Sequence, residues 1–136
     1  ALGPARASLA EMTRRYGADL DACSHGESFL TLFRARVVPG GLYLLDEPEA
    51  ALSPMRQMTL LALIDDLVRG GAQLVIATHS PILLAYPQAT IYELGPDGAR
   101  ATPYEATEHY RVTRDFLNRY PAMLRELLAD ADAARS

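Results

Sequence analysis

Two short apolar runs, Leu42-Tyr43-Leu44-Leu45 and Leu74-Val75-Ile76-Ala77, stand out because no polar residue interrupts them. Runs of this kind suit strands buried on both faces, as in a parallel sheet. Between them Met55, Met58, Leu61, Leu63, Ile64, Leu67 and Val68 recur mostly at three- and four-residue spacings, the period of an amphipathic helix. Pro54 stands in the first turn, where proline is tolerated, and Gly70-Gly71 ends the helix. The pattern predicts a strand, a helix and a second strand, joined as a right-handed parallel crossover.

Weaker signals flank this unit. Ser8 to Tyr16 reads as a short helix closed by Gly17. Ser24 followed by Glu27 and then by Phe29, Leu30, Leu32 and Phe33 is a capping-box pattern, opening a helix that runs to Arg36. Pro39-Gly40-Gly41 breaks the chain before the first strand. Beyond the second strand, Ile82 to Tyr86 reads as a short apolar turn or helix. Thr90–Leu94 and Ala99–Thr102 read as strands joined by the turn Gly95-Pro96-Asp97-Gly98. Two closing helices are expected at 105–118 and 121–131, with Pro121 opening the second. Tyr104, Tyr110, Phe116 and Tyr120 read as packing residues, and His109 as structural. Arg111, Arg114, Arg119 and Arg125 read as a solvated helix face, which leaves nucleic acid as a partner without support.

Both apolar runs end in chemistry. The first delivers Asp46-Glu47-Pro48 and the second Thr78-His79-Ser80-Pro81. Open α/β sheets bind ligands at the carboxyl ends of their strands. An apolar strand that carries two adjacent acids into a cleft is costly unless a cation or a proton is waiting there. Ser24, with the amides from Gly26 onward, would form a helix N-terminus, which attracts anions.

These residues, in this order, resemble an ABC-type ATPase of the soluble bacterial AAA-family group. Leu42–Glu47 looks like a Walker B strand and residues 49–54 like a D-loop. Residues 23–28 look like the signature segment, and residues 78–81 like the switch-histidine loop. The resemblance implies a P-loop NTPase-like parallel sheet with flanking helices. It further implies that residues 1–136 are the incomplete C-terminal half of such a domain, since no Walker A loop is present. It also implies ATP and Mg²⁺ as ligands. Asp46 would hold the metal, Glu47 would act as the base, and His79 would contact the γ-phosphate. Ser24, His25, Gly26 and Glu27, with Ser53, would face nucleotide held by the opposite subunit of a head-to-tail dimer. His25 and Ser53 depart from the residues most relatives carry there.

Composition sharpens this picture at one point. The 136 residues contain 13 basic side chains, and every one is Arg. A phosphate-cradling lysine must therefore come from a Walker A-bearing segment or relative. Half a sheet would also expose apolar surface. Hydrophobic residues at 49% and charged ones at 22% are ordinary for a globular chain, and this length fits one domain. A net charge of -4 gives no global field toward nucleic acid. Cys23 is alone, so no internal disulfide forms and a reducing cytoplasm is expected. No stretch reads as a signal peptide or a membrane span. A second reading of the whole is a non-catalytic module that pairs with an intact ATPase. A third, weaker one is a Toprim-like metal-dependent domain using Asp46 and Glu47.

Overall fold

The computed structural model describes residues 25–136, with side chains from Phe29 onward. Ser24, Cys23 and the helix expected at 8–16 lie outside the described residues. The chain divides into two compact units, the first ending at Pro87 and the second running from Gln88 to Ser136.

In the first unit, helix α1 (His25–Arg36) precedes strand β1 (Leu42–Asp46). A 3-10 turn over Pro48–Ala51 leads into helix α2 (Pro54–Arg69), followed by strand β2 (Gln73–Ala77) and a 3-10 turn at Leu83–Ala85. Strands β1 and β2 pair in parallel, with Leu42 opposite Gln73 and Asp46 opposite Ala77. The expected strand–helix–strand unit is present, and its register brings both strand ends level. Ser53 starts α2 by accepting a hydrogen bond from the Arg56 amide at 3.3 Å. Pro54 follows it in the first turn, where its missing N–H is no loss. At the other end the Gly70 amide donates to the Asp66 carbonyl at 3.0 Å, and Gly71 takes a φ of 87° that favours glycine.

The buried stripe of α2 has a phase the spacing alone misses. Leu60, Leu63, Ile64 and Leu67 are buried, and Leu60 is fully so. Met58, which the periodicity assigns to the apolar face, is exposed. Leu60 and Ile64 pack with Leu30 of α1, Leu52 and Leu83, flanked by Phe29, Phe33, Leu74 and Ile76. The sheet is covered on one face only. Tyr43, Leu45, Leu74 and Ile76 are partly buried, whereas Leu44 is 72% exposed and Leu42 and Val75 more than half exposed. Burial on both faces, which the apolar runs suggest, is therefore not met among the described residues. The open apolar face is the one expected of an incomplete sheet.

Tyr86 and Asp65 tie the last turn of this unit back to α2. The Tyr86 hydroxyl donates to Asp65 Oδ1 at 2.9 Å, and Arg69 Nε donates to Asp65 Oδ2 at 2.8 Å. Burial, then the hydrogen bond to the Asp65 carboxylate and its charge, push the Tyr86 hydroxyl up to about 12 from its ordinary value of 10.0. Its folded-state value is raised, so its contribution to stability is intact below pH 10.0 and is lost as pH rises through about 12. Tyr86→Phe is expected to remove that alkaline loss, measured as a flatter denaturation midpoint between pH 10.0 and about 12. An unchanged alkaline slope would show that the bond does not contribute.

The second unit is a hairpin followed by a long helix. Strands β3 (Tyr92–Gly95) and β4 (Gly98–Ala101) pair antiparallel around Pro96-Asp97. A 3-10 turn at Tyr104–Ala106 precedes helix α3 (Glu108–Arg135). Thr107 is buried and caps α3, accepting from the Tyr110 amide at 3.2 Å. Glu93 Oε2 accepts from the Glu108 amide at 2.9 Å, placing a carboxylate at a helix N-terminus. The two expected helices are present, meeting end to end at a kink where Arg119 leaves helical geometry (φ -134°, ψ 22°) just before Pro121. Proline cannot donate to the preceding turn, so the break is real, but the chain resumes the helix at once. Tyr104 and Tyr110 meet edge-on at 4.9 Å, and Phe116 and Tyr120 at 6.4 Å; Tyr104, Tyr110 and Phe116 are partly buried, whereas Tyr120, expected to pack, is 52% exposed.

Candidate active site

The site lies at the carboxyl ends of β1 and β2. Asp46 is the last residue of β1 and is exposed. Glu47 leaves the strand with φ 48° and ψ 54°, the only non-glycine residue at positive φ among those described. The left-handed region costs a side chain with a Cβ about 1–2 kcal/mol. Two backbone bonds hold it there: the Glu47 amide donates to the Ala77 carbonyl at 2.7 Å, and the Ala50 amide donates to the Glu47 carbonyl at 3.1 Å. Strain of this kind in a non-glycine residue concentrates at functional sites.

The turn directs Glu47 toward His79, whose Nε2 lies 3.2 Å from Glu47 Oε1. The two side chains are 53% and 72% exposed respectively. An exposed pair of this kind is worth about 0–1 kcal/mol, so an arriving anion can displace it at little cost. Thus β1 and β2 bring Asp46, Glu47 and His79 to one edge, as the sequence pattern implies.

Residues that the sequence places in a segment but assigns no role, Glu49, Thr78 and Ser80, complete the geometry together with Gln57. Glu49 Oε1 accepts from the Thr78 hydroxyl at 2.6 Å, and Glu49 Oε2 accepts from the His79 amide at 2.8 Å. Burial acts to raise the Glu49 carboxyl. Hydrogen bonds from Thr78, from the His79 amide and from its own amide, with the His79 charge, outweigh it and hold Glu49 below its ordinary value of 4.5. Its contribution to stability is therefore present above pH 4.5 and is lost as pH falls through the lowered value. The Ser80 hydroxyl donates to Gln57 Oε1, and Gln57 Nε2 donates to the Leu52 carbonyl at 3.2 Å. Only the acidic character of Glu49 and the polar face of Thr78 and Ser80 were visible in the sequence; their pairing spans about thirty residues.

The remaining candidates lie on helix starts. His25, Gly26 and Glu27 form the first turn of α1. Ser24, which would cap that turn, is outside the described residues. Ser53 caps α2, accepting from the Arg56 amide at 3.3 Å. The Glu47–His79 contact is made without it.

The donor set suits Mg²⁺ better than a metal caged by protein. Among the described residues no group of three or more His, Cys, Asp or Glu side chains converges. Asp46 presents one exposed hard oxygen donor at the strand end. Mg²⁺ typically keeps several waters and takes one or two carboxylates plus substrate phosphates, so one carboxylate fits. No helix among the described residues is long and apolar enough to cross a membrane.

Comparison with known proteins falls on this same region. Residues 28–85 match the family described as "AAA domain, putative AbiEii toxin, Type IV TA system". Over 64 residues the chain is 42% identical to a "Putative ABC transporter ATP-binding protein" of Streptomyces coelicolor. That match covers 47% of this chain and 22% of the relative, so the chain spans about a fifth of the relative's length. The residues that match the AAA-domain family include Asp46, Glu47, Glu49 and His79, and the two likenesses together support a fragment of an ABC/AAA-type ATPase.

Proposed function

We propose that this chain supplies the metal-holding, base, switch and signature groups of an ABC-type site that hydrolyses Mg-ATP. The observation that carries the reading is the Glu47–His79 pair at 3.2 Å beside Asp46, at the level ends of two parallel strands. In this reading Asp46 holds Mg²⁺, which when bound offsets phosphate charge. Glu47 accepts the proton of the attacking water or orients it. His79 carries one hydrogen on Nε2, which bonds either Glu47 or a γ-phosphate oxygen. Nucleotide arrival draws that hydrogen to phosphate and frees the Glu47 carboxylate to take the water's proton.

Two parts of the site come from elsewhere. The chain has no lysine, so the Gly-rich phosphate cradle with its Lys belongs to a Walker A-bearing segment or partner. In a head-to-tail dimer the first turn of α1, with Ser24, His25, Gly26 and Glu27, would bind the phosphates of ATP held by the opposite subunit, and Ser53 would sit at the subunit boundary. Helix N-terminal amides suit that task. Residues 1–136 are on this account the C-terminal part of the ATPase domain, with a soluble cytoplasmic setting.

Phosphate release by the complete native protein tests the reading. Hydrolysis that requires Mg²⁺, stops with chelator and falls in Asp46→Asn is expected. Absence of hydrolysis, with a stable complex formed with an intact lysine-bearing ATPase, would favour the non-catalytic module instead.

A further inference from the structure

We infer that Glu49 is a positioning residue that fixes the loop carrying His79, and so sets the His79 ring against Glu47. The inference rests on the ATPase reading of this site. The loop leaves β2 with backbone amides that no strand satisfies. Glu49 takes the His79 amide on one oxygen and the Thr78 hydroxyl on the other, at 2.8 and 2.6 Å. Because Thr78 spends its hydrogen on Glu49, its oxygen is free to accept from the Ser80 amide at 3.0 Å. Buried Ser80 then accepts from the Ile82 and Leu83 amides at 3.2 and 3.1 Å, while its hydroxyl donates to Gln57. The loop is thus held from both sides by residues C-terminal to β1.

Relative strength makes Glu49 decisive. A hydrogen bond to a charged group contributes more than an exposed ion contact such as Glu47–His79. The weaker contact cannot orient the histidine by itself; the backbone beneath it must be set first. Glu49 is itself placed by the 3-10 turn, through buried Pro48 and the Leu52 amide, which donates to the Glu49 carbonyl at 2.9 Å. The segment after β1 and the loop after β2 therefore move as one body.

The test uses the complete native protein with Glu49→Ala, Glu49→Gln and His79→Ala. Amide hydrogen exchange reads the loop directly. In Glu49→Ala, exchange at His79 is expected to quicken by about tenfold or more, with Leu74 and Ile76 in β2 unchanged. For hydrolysis, kcat should fall about 10- to 100-fold, the scale of a small misplacement of a reacting group. KM for ATP should stay within about twofold. Glu49→Gln keeps one acceptor and the shape of the side chain, so it should fall between wild type and Glu49→Ala. Glu49→Ala should add little to His79→Ala, because the two act as a unit.

Unchanged exchange at His79 would overturn the proposal. So would additive losses in the double variant, or faster exchange throughout β1 and β2, which would mark a merely structural residue. If exchange changes as expected but wild type releases no phosphate, Glu49 holds the loop and it is the ATPase reading that falls.

Discussion

Glu47→Gln is expected to lower ATP turnover by the complete protein about 10²- to 10⁴-fold, the usual contribution of a positioned general base. Nucleotide affinity should change little. Glutamine keeps the length of the side chain and an oxygen that can accept from His79 Nε2, now 3.2 Å from the carboxylate. It cannot take a proton from water. The backbone stays in the left-handed region at φ 48°, so the strain is unaltered and the fold should be indifferent. Glu47→Gly separates these effects further. Glycine relieves a conformation that costs about 1–2 kcal/mol for other residues, so thermal stability should hold or rise while turnover is lost. Turnover close to wild type in Glu47→Gln would remove Glu47 from the chemistry. A marked drop in melting temperature in Glu47→Gly would show that the side chain, not the backbone, holds the turn.

The second large effect concerns the support beneath the site. Leu60→Ala is expected to destabilise the protein by about 2–5 kcal/mol, the cost of emptying a fully buried leucine site. Leu60 is completely buried and joins α1, α2 and the turns around Leu52 and Leu83 in one cluster. Those turns flank the site: the Leu52 carbonyl accepts from Gln57, and the Leu83 amide donates to Ser80. Lost packing there should loosen the His79 loop before global unfolding. Met58→Ala, on the exposed side of the same helix, should change stability by less than about 1 kcal/mol. Chemical denaturation of both variants checks the assignment. Equal losses would mean that the helix presents a different face.

The contrast between Leu60 and Met58 shows what the sequence could and could not reveal. Apolar spacing located α2 and both parallel strands, because burial imposes a period that residues must obey. It did not fix the phase of the helix, since a chain with apolar residues at 55, 58, 60, 61, 63 and 64 satisfies more than one stripe. The apolar runs of β1 and β2 suggested two covered faces, yet Leu42, Leu44 and Val75 lie open. A sequence records that a face wants cover, not which segment provides it. The break at Arg119 was legible because Pro121 excludes a continuous helix through the preceding turn yet is tolerated in the first turn of the next.

The site divides along the same line. Asp46, Glu47 and His79 were legible because adjacent strand ends gather the residues just beyond them. Glu49 and Gln57 were not, because their bonds to Thr78, His79 and Ser80 join distant parts of the chain. Nothing local in Pro48-Glu49-Ala50 distinguishes a clamp from a solvated acid. Ser53 caps α2, a duty compatible with the interface position that its place in the D-loop resemblance suggests, since one hydroxyl can accept and donate at once.

Titration of Mg-ATP into the 136-residue chain by calorimetry tests the central claim most directly. The account expects no saturation below about 1 mM, equivalent to less than roughly 4 kcal/mol of binding free energy, because the lysine and the glycine-rich cradle are supplied from elsewhere. Micromolar binding by this chain alone would contradict it and would require a phosphate site built from arginine and backbone amides.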